Sequence, residues 1–233
     1  MSEQAIAFFQ MIVPVGLALI MFSMGLTLRL ADFGLVLKSG RLVSAGLAGQ
    51  LVALPLLALA IGALFQLPPE LALGLFIVAI CPAGTTSNAL TFVGRGNVAL
   101  AIVLTALTSL VTVFSIPFLL SWALPWFLAG TREVPSIPIP TTMLQLFTIT
   151  VLPVTLGMGA GLAIGRTIGV GRRDSMTLAI EIGVQNVTLA IFLTLTVLDS
   201  LELAVTQNIY GVIMLLNGTI LIRLLRRRIA AEA

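Results

Sequence analysis

The sequence predicts an all-α fold, a polytopic membrane bundle of about seven spanning helices, two of which are broken near mid-membrane. Three observations predict it. Hydrophobic residues make up 59% of the 233 residues and charged residues only 9%, which leaves too little polar surface for a water-soluble domain. The apolar residues fall in stretches of the ~20 residues that a helix needs to cross a bilayer. Nearly all basic residues lie between those stretches, on one side of the resulting topology.

The hydrophobic stretches divide the chain into seven predicted spans. They cover residues 6–28, 42–65, 70–93, 98–121, 142–165, 175–198 and 205–225. The first stretch is too long for a signal-peptide core and has no basic segment before it, so we expect a membrane span. The connection near 127–141 contains three prolines and is expected to be extended. We expect one membrane domain, 1–233, with a four-helix first repeat at 1–126 and an incomplete three-helix second repeat at 141–233.

The basic residues predict the orientation of the chain. With the N-terminus outside, one side receives Arg29, Lys38, Arg41, Arg95, Arg166, Arg172, Arg173, Arg223, Arg226, Arg227 and Arg228. The other side receives only Arg132. Because cytoplasmic loops collect Lys and Arg, this sorting predicts a cytoplasmic C-terminus in a plasma or inner membrane.

The composition excludes several classes of function. A chain without histidine has no Ser-His-Asp triad, His-ligated haem or His-bound zinc, and no nucleophile–base pair indicates an enzyme. The only lysine, Lys38, lies in a loop, which excludes a retinal Schiff base. The net charge of +3 comes from residues between spans, so we expect membrane lipid and not nucleic acid as a partner.

Two spans contain clusters of polar residues with helix-breaking residues among them. Residues 81–88 of the third span read Cys-Pro-Ala-Gly-Thr-Thr-Ser-Asn, and residues 181–186 of the sixth read Glu-Ile-Gly-Val-Gln-Asn. Such breaks persist in a bilayer only where they line a cavity or bind an ion. The two spans run in opposite directions, one in each half of the chain. This pattern predicts two broken helices that cross at a site, as in inverted-repeat transporters.

Glu181 is the only carboxylate well inside a predicted span. An ionised, unpaired carboxylate there would cost several kcal/mol, and no span contains a Lys or Arg at similar depth. A bound cation is the simplest neutraliser, and a protonated structural carboxyl is the alternative. The candidate oxygen ligands around it are Gln50, Ser87, Asn88, Thr105 and Gln185.

Two further patterns indicate helix packing. Thr108, Ser109 and Thr112 share one helical face with Thr105, and such hydroxyl stripes favour packing in bilayers, so only Thr105 is expected to have a functional role. The closely spaced glycines of the fifth span, Gly157, Gly159 and Gly161, are expected to be close-packing positions.

These motifs resemble the bile acid:sodium symporter family. The resemblance covers nearly the whole chain and lies in residues 24–28 with Asp32 and Phe33, residues 81–88 continuing through 95–100, and residues 181–186. It implies a core domain with crossing broken helices, a panel domain beside it, and two sites for the coupling ion Na⁺.

The resemblance also implies which residues bind. The first sodium site would use Ser87, Asn88, Thr105 and Glu181. The second would use Gln50, Glu181 and Gln185 with the backbone carbonyls of Ile182 and Val184. Thr85 and Asn186 would face the substrate cavity, and Asn217 is a further candidate there. Cys81 is expected to be a packed residue, with a metalloid-ligand role, known from a related branch, as the alternative.

Two departures from the family pattern affect the functional prediction. Ala101 stands where the family often has a hydroxyl ligand of the first sodium site, and compared with the nine or ten helices usual in the family, two are expected to be absent between the fifth and sixth spans. We therefore expect a sodium-coupled symporter of a small organic anion, such as a bile-acid-like or other carboxylate or sulfate. The alternative is a transport-incompetent shortened paralogue or a ligand-binding membrane sensor of the same fold. The sequence leaves open the substrate and whether two chains form a homo-oligomer.

Overall fold

The computed structural model describes residue 34 and residues 39–127, 143–197 and 200–230. The regular elements of 39–230 that it describes are the helices α1 (Gly40–Leu64), α2 (Pro69–Ile80), α3 (Thr85–Val93), α4 (Val98–Phe127), α5 (Met143–Thr167), α6 (Arg172–Gly183), α7 (Val187–Val197) and α8 (Leu201–Ala230). The predicted span at 6–28, the motif at 24–33 and most of the connection near 127–141 lie outside the described residues.

The helices confirm the predicted all-α membrane fold. Four are long and apolar enough to cross a bilayer, namely α1, α4, and the Phe147–Thr167 and Gln207–Leu225 parts of α5 and α8. The third and sixth predicted spans are each two short helices in series, α2 with α3 and α6 with α7. Both predicted breaks are therefore present. The last helix extends beyond the predicted 205–225 at both ends.

One end of the bundle collects the arginines of the described residues. Leu42 at the start of α1 and Leu100 at the start of α4 pack in one cluster with Leu178 of α6. Ile222 of α8 lies beside Gly94, in the link between α3 and α4. The helix ends gathered there contain Arg41, Arg95, Arg166, Arg172, Arg173 and Arg223. We call this end of the bundle the basic end; its composition agrees with the predicted sorting of charge.

Helix α1 passes close to α6 and changes its winding there. A π-helical turn at Gly49–Ala53 interrupts α1, and Gln50 lies buried within it. A Cβ atom on Gly49 would collide with the Ile182 side chain. The π-helical turn is therefore the part of α1 that faces the end of α6 and the break after it. Turns of this kind are frequent at functional sites.

Helices α5 and α6 form an antiparallel hairpin with backbone against backbone. A Cβ on Gly161 would lie 2.5 Å from Ala179 Cα, and one on Gly165 would lie 2.8 Å from Ser175 Cα. Gly157 faces the carbonyl of Ile182 on the same seam. The prediction was wrong for Gly159, which has nothing within 4 Å of its Cβ position. Residues four apart share a helix face, whereas Gly159 lies on the opposite side of α5.

Candidate cation site at the crossing of two broken helices

The two breaks meet and satisfy each other's backbone groups. The Asn186 N–H donates to Pro82 O at 2.9 Å, and Ala83 and Gln185 form an isolated antiparallel bridge. A Cβ on Gly84 would lie 3.5 Å from Asn186 Cα, which is ordinary van der Waals contact, so the two segments pack directly against each other here. Backbone groups freed by the breaks are thereby paired with protein, which a bilayer interior requires.

Glu181 lies in the last turn of α6, directly before its break, and is 2% exposed. Its Oε2 accepts a hydrogen bond from Thr105 Oγ1 at 2.9 Å. Its Oε1 is buried and has no hydrogen-bond donor among the described residues. An unsatisfied charged oxygen in such a place costs free energy until a donor or a cation reaches it.

Ser87 and Asn88 add side-chain oxygens to this group. The Ser87 hydroxyl lies beside the Glu181 carboxylate but donates its proton to Gly84 O at 2.7 Å. Asn88 Oδ1 lies 3.4 Å from Thr105 Oγ1, whose single proton is already directed to Glu181 at the shorter distance. The structure thus brings together side-chain oxygens of Ser87, Asn88, Thr105 and Glu181. Oxygen ligands of this kind suit a hard cation.

A second polar group lies between α1 and the sixth span. Gln50 Nε2 donates to Gln185 Oε1 at 2.5 Å and to Cys81 O at 3.0 Å, while Gln185 Nε2 donates to Ile182 O at 2.8 Å. The structure therefore brings Gln50, Gln185 and the Ile182 carbonyl together, although the carbonyl is already bound by an amide. Val184 is fully buried in the break, and none of these bonds involves its carbonyl.

The predicted substrate residues are divided between two places. Thr85 is exposed at the first residue of α3, and Asn186 lies beside Gly84 across the crossing, where its Oδ1 accepts from Leu189 N at 3.0 Å and caps α7. Both α3 and α7 begin at the crossing, so their N-terminal amides offer a favourable environment for an anion. Asn217 instead donates to Thr155 Oγ1 at 3.0 Å and joins α8 to α5.

The four hydroxyls of the α4 stripe differ in their hydrogen-bond partners. Thr108, Ser109 and Thr112 each donate to a carbonyl three or four residues earlier in α4. Of the four hydroxyls, only that of Thr105 donates to another helix. Ala101, one turn from Thr105 toward the basic end, is fully buried and contributes no oxygen.

Sequence reasoning missed two residues whose contacts position the site, Met214 and Asn97. The Gln185 backbone N–H donates to Met214 Sδ at 3.1 Å, a role that nothing in an apolar span reveals. At the basic end, Asn97 Nδ2 donates to Asp174 Oδ1 at 2.9 Å and Asn97 N to Thr177 Oγ1 at 2.8 Å. Asn97 also caps α4 by accepting from Leu100 N, and an Asn directly before an apolar run is a recognisable capping signal.

The contacts of Asn97 tie α4 to α6 at the basic end, and the Thr105–Glu181 bond ties the same helices further in. From Asn97 to Thr105 is eight residues, and from Asp174 to Glu181 is seven. The two helices rise about equally between these contacts. The basic-end contacts therefore set the register in which Thr105 meets Glu181.

Comparison with known proteins gives one matching family and several relatives. A family described as the Sodium Bile acid symporter family matches residues 14–208. The chain is 41% identical over 105 residues to a probable sodium/metabolite cotransporter, BASS1, chloroplastic, of Arabidopsis thaliana, covering 45% of this chain and 26% of that protein. It is 36% identical over 108 residues to the uncharacterized sodium-dependent transporter YocS of Bacillus subtilis, covering 46% and 34%.

A more distant relative is the human ileal sodium/bile acid cotransporter, at 30% identity over 143 residues, which covers 61% of this chain and 40% of that protein. The chain spans roughly a quarter to two fifths of the length of these three relatives.

Proposed function

The chain belongs to the Sodium Bile acid symporter family, and on this premise we propose that it is a sodium-coupled symporter of a small organic anion. The family consists of transporters and not enzymes, and the chain is a multi-pass membrane protein. One observation carries the proposal: a buried carboxylate, Glu181, has an oxygen to which no group of the described residues donates, at the crossing of two broken helices.

Sodium would occupy the group around Glu181. Its ligands would be the carboxylate with Ser87, Asn88 and Thr105, all oxygen donors of the kind that hard cations prefer. The ion would remove the cost of an ionised carboxylate in this interior, which is several kcal/mol for an unpaired charge. A second ion at Gln50 and Gln185 would require the Gln185 amide to turn away, so that the Ile182 and Val184 carbonyls could bind it.

The organic anion would bind at the crossing, near Thr85 and Asn186. The starts of α3 and α7 supply amide N–H groups there, and a sodium ion bound at Glu181 would add positive charge nearby. Each ligand would then favour the state that binds the other, which is the coupling that symport requires. Carboxylates and sulfates, including bile-acid-like molecules, fit this chemistry.

The membrane orientation follows from the basic end. We propose that this end lies on the cytoplasmic side of a plasma or inner membrane, with the N-terminus outside, because Lys and Arg accumulate on the cytoplasmic side. Residues 1–126 and 141–233 would be the two repeats that each contribute one broken helix.

A second candidate is a ligand-binding membrane protein that does not transport. It is favoured by the tight hairpin of α5 and α6, in which a four-residue link follows Thr167 and glycines hold the two backbones in contact. Such a seam restrains α6, which carries Glu181.

The test combines binding with flux. We expect sodium, and not potassium, to raise the thermal stability of the purified protein, and cholate or taurocholate to raise it further when sodium is present. Glu181→Gln should abolish the sodium effect. Glu70→Gln, the same change in the first turn of α2, should leave it intact.

Uptake into proteoliposomes then separates the two candidates. Sodium-driven uptake of the anion supports the symporter, whereas sodium-dependent binding without uptake supports the second candidate. Equal stabilisation by sodium and potassium, or an undiminished sodium effect in Glu181→Gln, would refute the cation site.

A further inference from the structure

The break between α6 and α7 leaves one backbone amide with an unusual acceptor. Because α6 ends at Gly183, the Gln185 N–H lies outside the helical ladder, and it donates to Met214 Sδ of α8 at 3.1 Å. Both residues are buried, at 1% and 4% exposure. A thioether sulfur is only a weak acceptor, but a buried amide with no acceptor at all is costly. The sulfur of Met214 therefore keeps this amide pointing at α8.

The direction of this amide also determines the direction of a carbonyl. The Gln185 N–H and the Val184 C=O belong to one peptide group, which is trans and planar, so the two bonds point in opposite directions. Since the N–H points at α8, Val184 O points away from α8. The antiparallel bridge with the first break agrees, because in its register Val184 O lies on the side of Gly84. The carbonyl thus faces the crossing.

The side chain of the same residue is held by a different helix. Gln185 Oε1 accepts from Gln50 Nε2 of α1, and Gln185 Nε2 donates to Ile182 O at 2.8 Å. When this side-chain amide turns to admit an ion, the backbone bond to Met214 still fixes the peptide. The Met214 side chain has no oxygen, and sulfur is a poor ligand for a hard cation. Its contribution is therefore to position a ligand and not to be one.

We propose that Met214 is a positioning residue for the second sodium ion, and that its sulfur keeps Val184 O turned into the crossing where that ion would bind. A leucine in its place would leave the Gln185 amide without an acceptor. The peptide would then rotate toward another acceptor and turn the carbonyl away. The inference rests on the proposed function and adds to it a residue that holds an ion ligand without touching the ion.

The test counts bound ions with and without the sulfur. The thermal stability of purified wild type and Met214→Leu is measured against sodium concentration, each relative to its own stability in potassium at equal ionic strength. The leucine keeps the side-chain volume, so the variant should fold. Stabilisation rises with the logarithm of ligand concentration, and its limiting slope gives the number of ions bound. We expect two ions in wild type. Met214→Leu should need about fivefold more sodium for the second ion, from the loss of one hydrogen bond, with the first ion unchanged.

Two further variants serve as controls. Met158→Leu makes the same change at a methionine of α5 that is equally buried and packs against Gly183 of the same break, but the freed amide donates to Met214 instead. It should keep the wild-type sodium dependence. Gln50→Leu removes a side chain of the second polar group itself. In that background Met214→Leu should cause no further change, because the ion that it positions is already lost.

The outcomes separate this inference from the proposed function. Equal sodium dependence of wild type and Met214→Leu refutes the positioning role, and so does an equal loss in Met158→Leu. A loss that persists in the Gln50→Leu background refutes it too, since the sulfur would then act on the fold as a whole. A single bound ion in wild type refutes this inference and leaves the site at Glu181 standing. A wild-type protein without sodium-specific stabilisation refutes the proposed function as well.

Discussion

The seam between α5 and α6 gives the sharpest prediction, because one helix offers both a test position and its control. Gly161→Ala adds a Cβ that would lie 2.5 Å from Ala179 Cα, 2.6 Å from Ala179 N and 2.6 Å from Leu178 O. All three are backbone atoms, so no side chain can turn aside. Gly159→Ala, two residues away, adds the same atom where nothing lies within 4 Å.

The two substitutions are expected to change the free energy of unfolding in opposite directions. Van der Waals contact for a Cβ begins near 3.4 Å, so α5 must retreat from α6 by about 1 Å. Overpacking of this kind costs about 1–3 kcal/mol. Gly159→Ala, on the exposed side of α5, should instead raise the stability, because alanine in place of glycine stabilises a helix by roughly 0.5–1 kcal/mol. We therefore expect Gly161→Ala to be less stable than wild type and Gly159→Ala to be slightly more stable.

The assay is unfolding in mixed micelles with increasing denaturing detergent, followed by circular dichroism. The two variants should differ by roughly 1–3 kcal/mol in free energy of unfolding, because both gain the helix propensity of alanine and only Gly161→Ala is overpacked. Sodium-dependent stabilisation gives a second measurement, since a displaced α6 also displaces Glu181. A Gly161→Ala protein as stable as Gly159→Ala would show that the two backbones are not in contact, and the reasoning would fail.

Two further predictions concern the contacts between α4 and α6. Thr105→Val should weaken the sodium midpoint of thermal stabilisation about tenfold, because it removes one oxygen ligand and the bond to the carboxylate, whereas Thr108→Val should not change it. Equal midpoints for the two variants would count against the site. Asn97→Ala should lower the free energy of unfolding by about 1–2 kcal/mol through the loss of a helix cap and the bond to Asp174. A loss no greater than that of Asn208→Ala, whose bond stays within α8, would contradict this.

The broken spans were predictable because their cause is local. Proline and glycine next to polar residues cannot continue a helix in lipid, and Pro82 and Gly183 lie directly at the observed breaks. The cluster around Glu181 was predictable for a similar reason, since a lone carboxylate in a span must find partners. In the structure Ser87 and Thr105 lie beside Glu181 and Asn88 lies beside Thr105, while their role as ion ligands stays a prediction.

The parts that sequence did not reveal depend on which face of a helix meets a neighbour. Gly159 and Gly161 look alike in sequence, and only the rotation of α5 against α6 separates them. The family resemblance grouped Gln50 with Gln185 as ligands of one ion, but it did not indicate that their amides bond to each other, and the π-helical turn that presents Gln50 has no local signature. Met214 looks like any apolar residue until its sulfur is placed opposite a backbone N–H freed by the break.

The shared backbone bonds at the crossing have a mechanical consequence. Because the Asn186 N–H is held by Pro82 O, neither interrupted span can tilt alone without stranding a polar group in hydrocarbon. The two broken spans must therefore move as one rigid body, and any change of backbone angle must occur in the segments that connect them to the other helices. Three of these connectors contain a left-handed residue, Gln66 (φ 48°), Arg95 (φ 61°) and Gly169 (φ 73°), and each makes a tight corner at which a pivot can form.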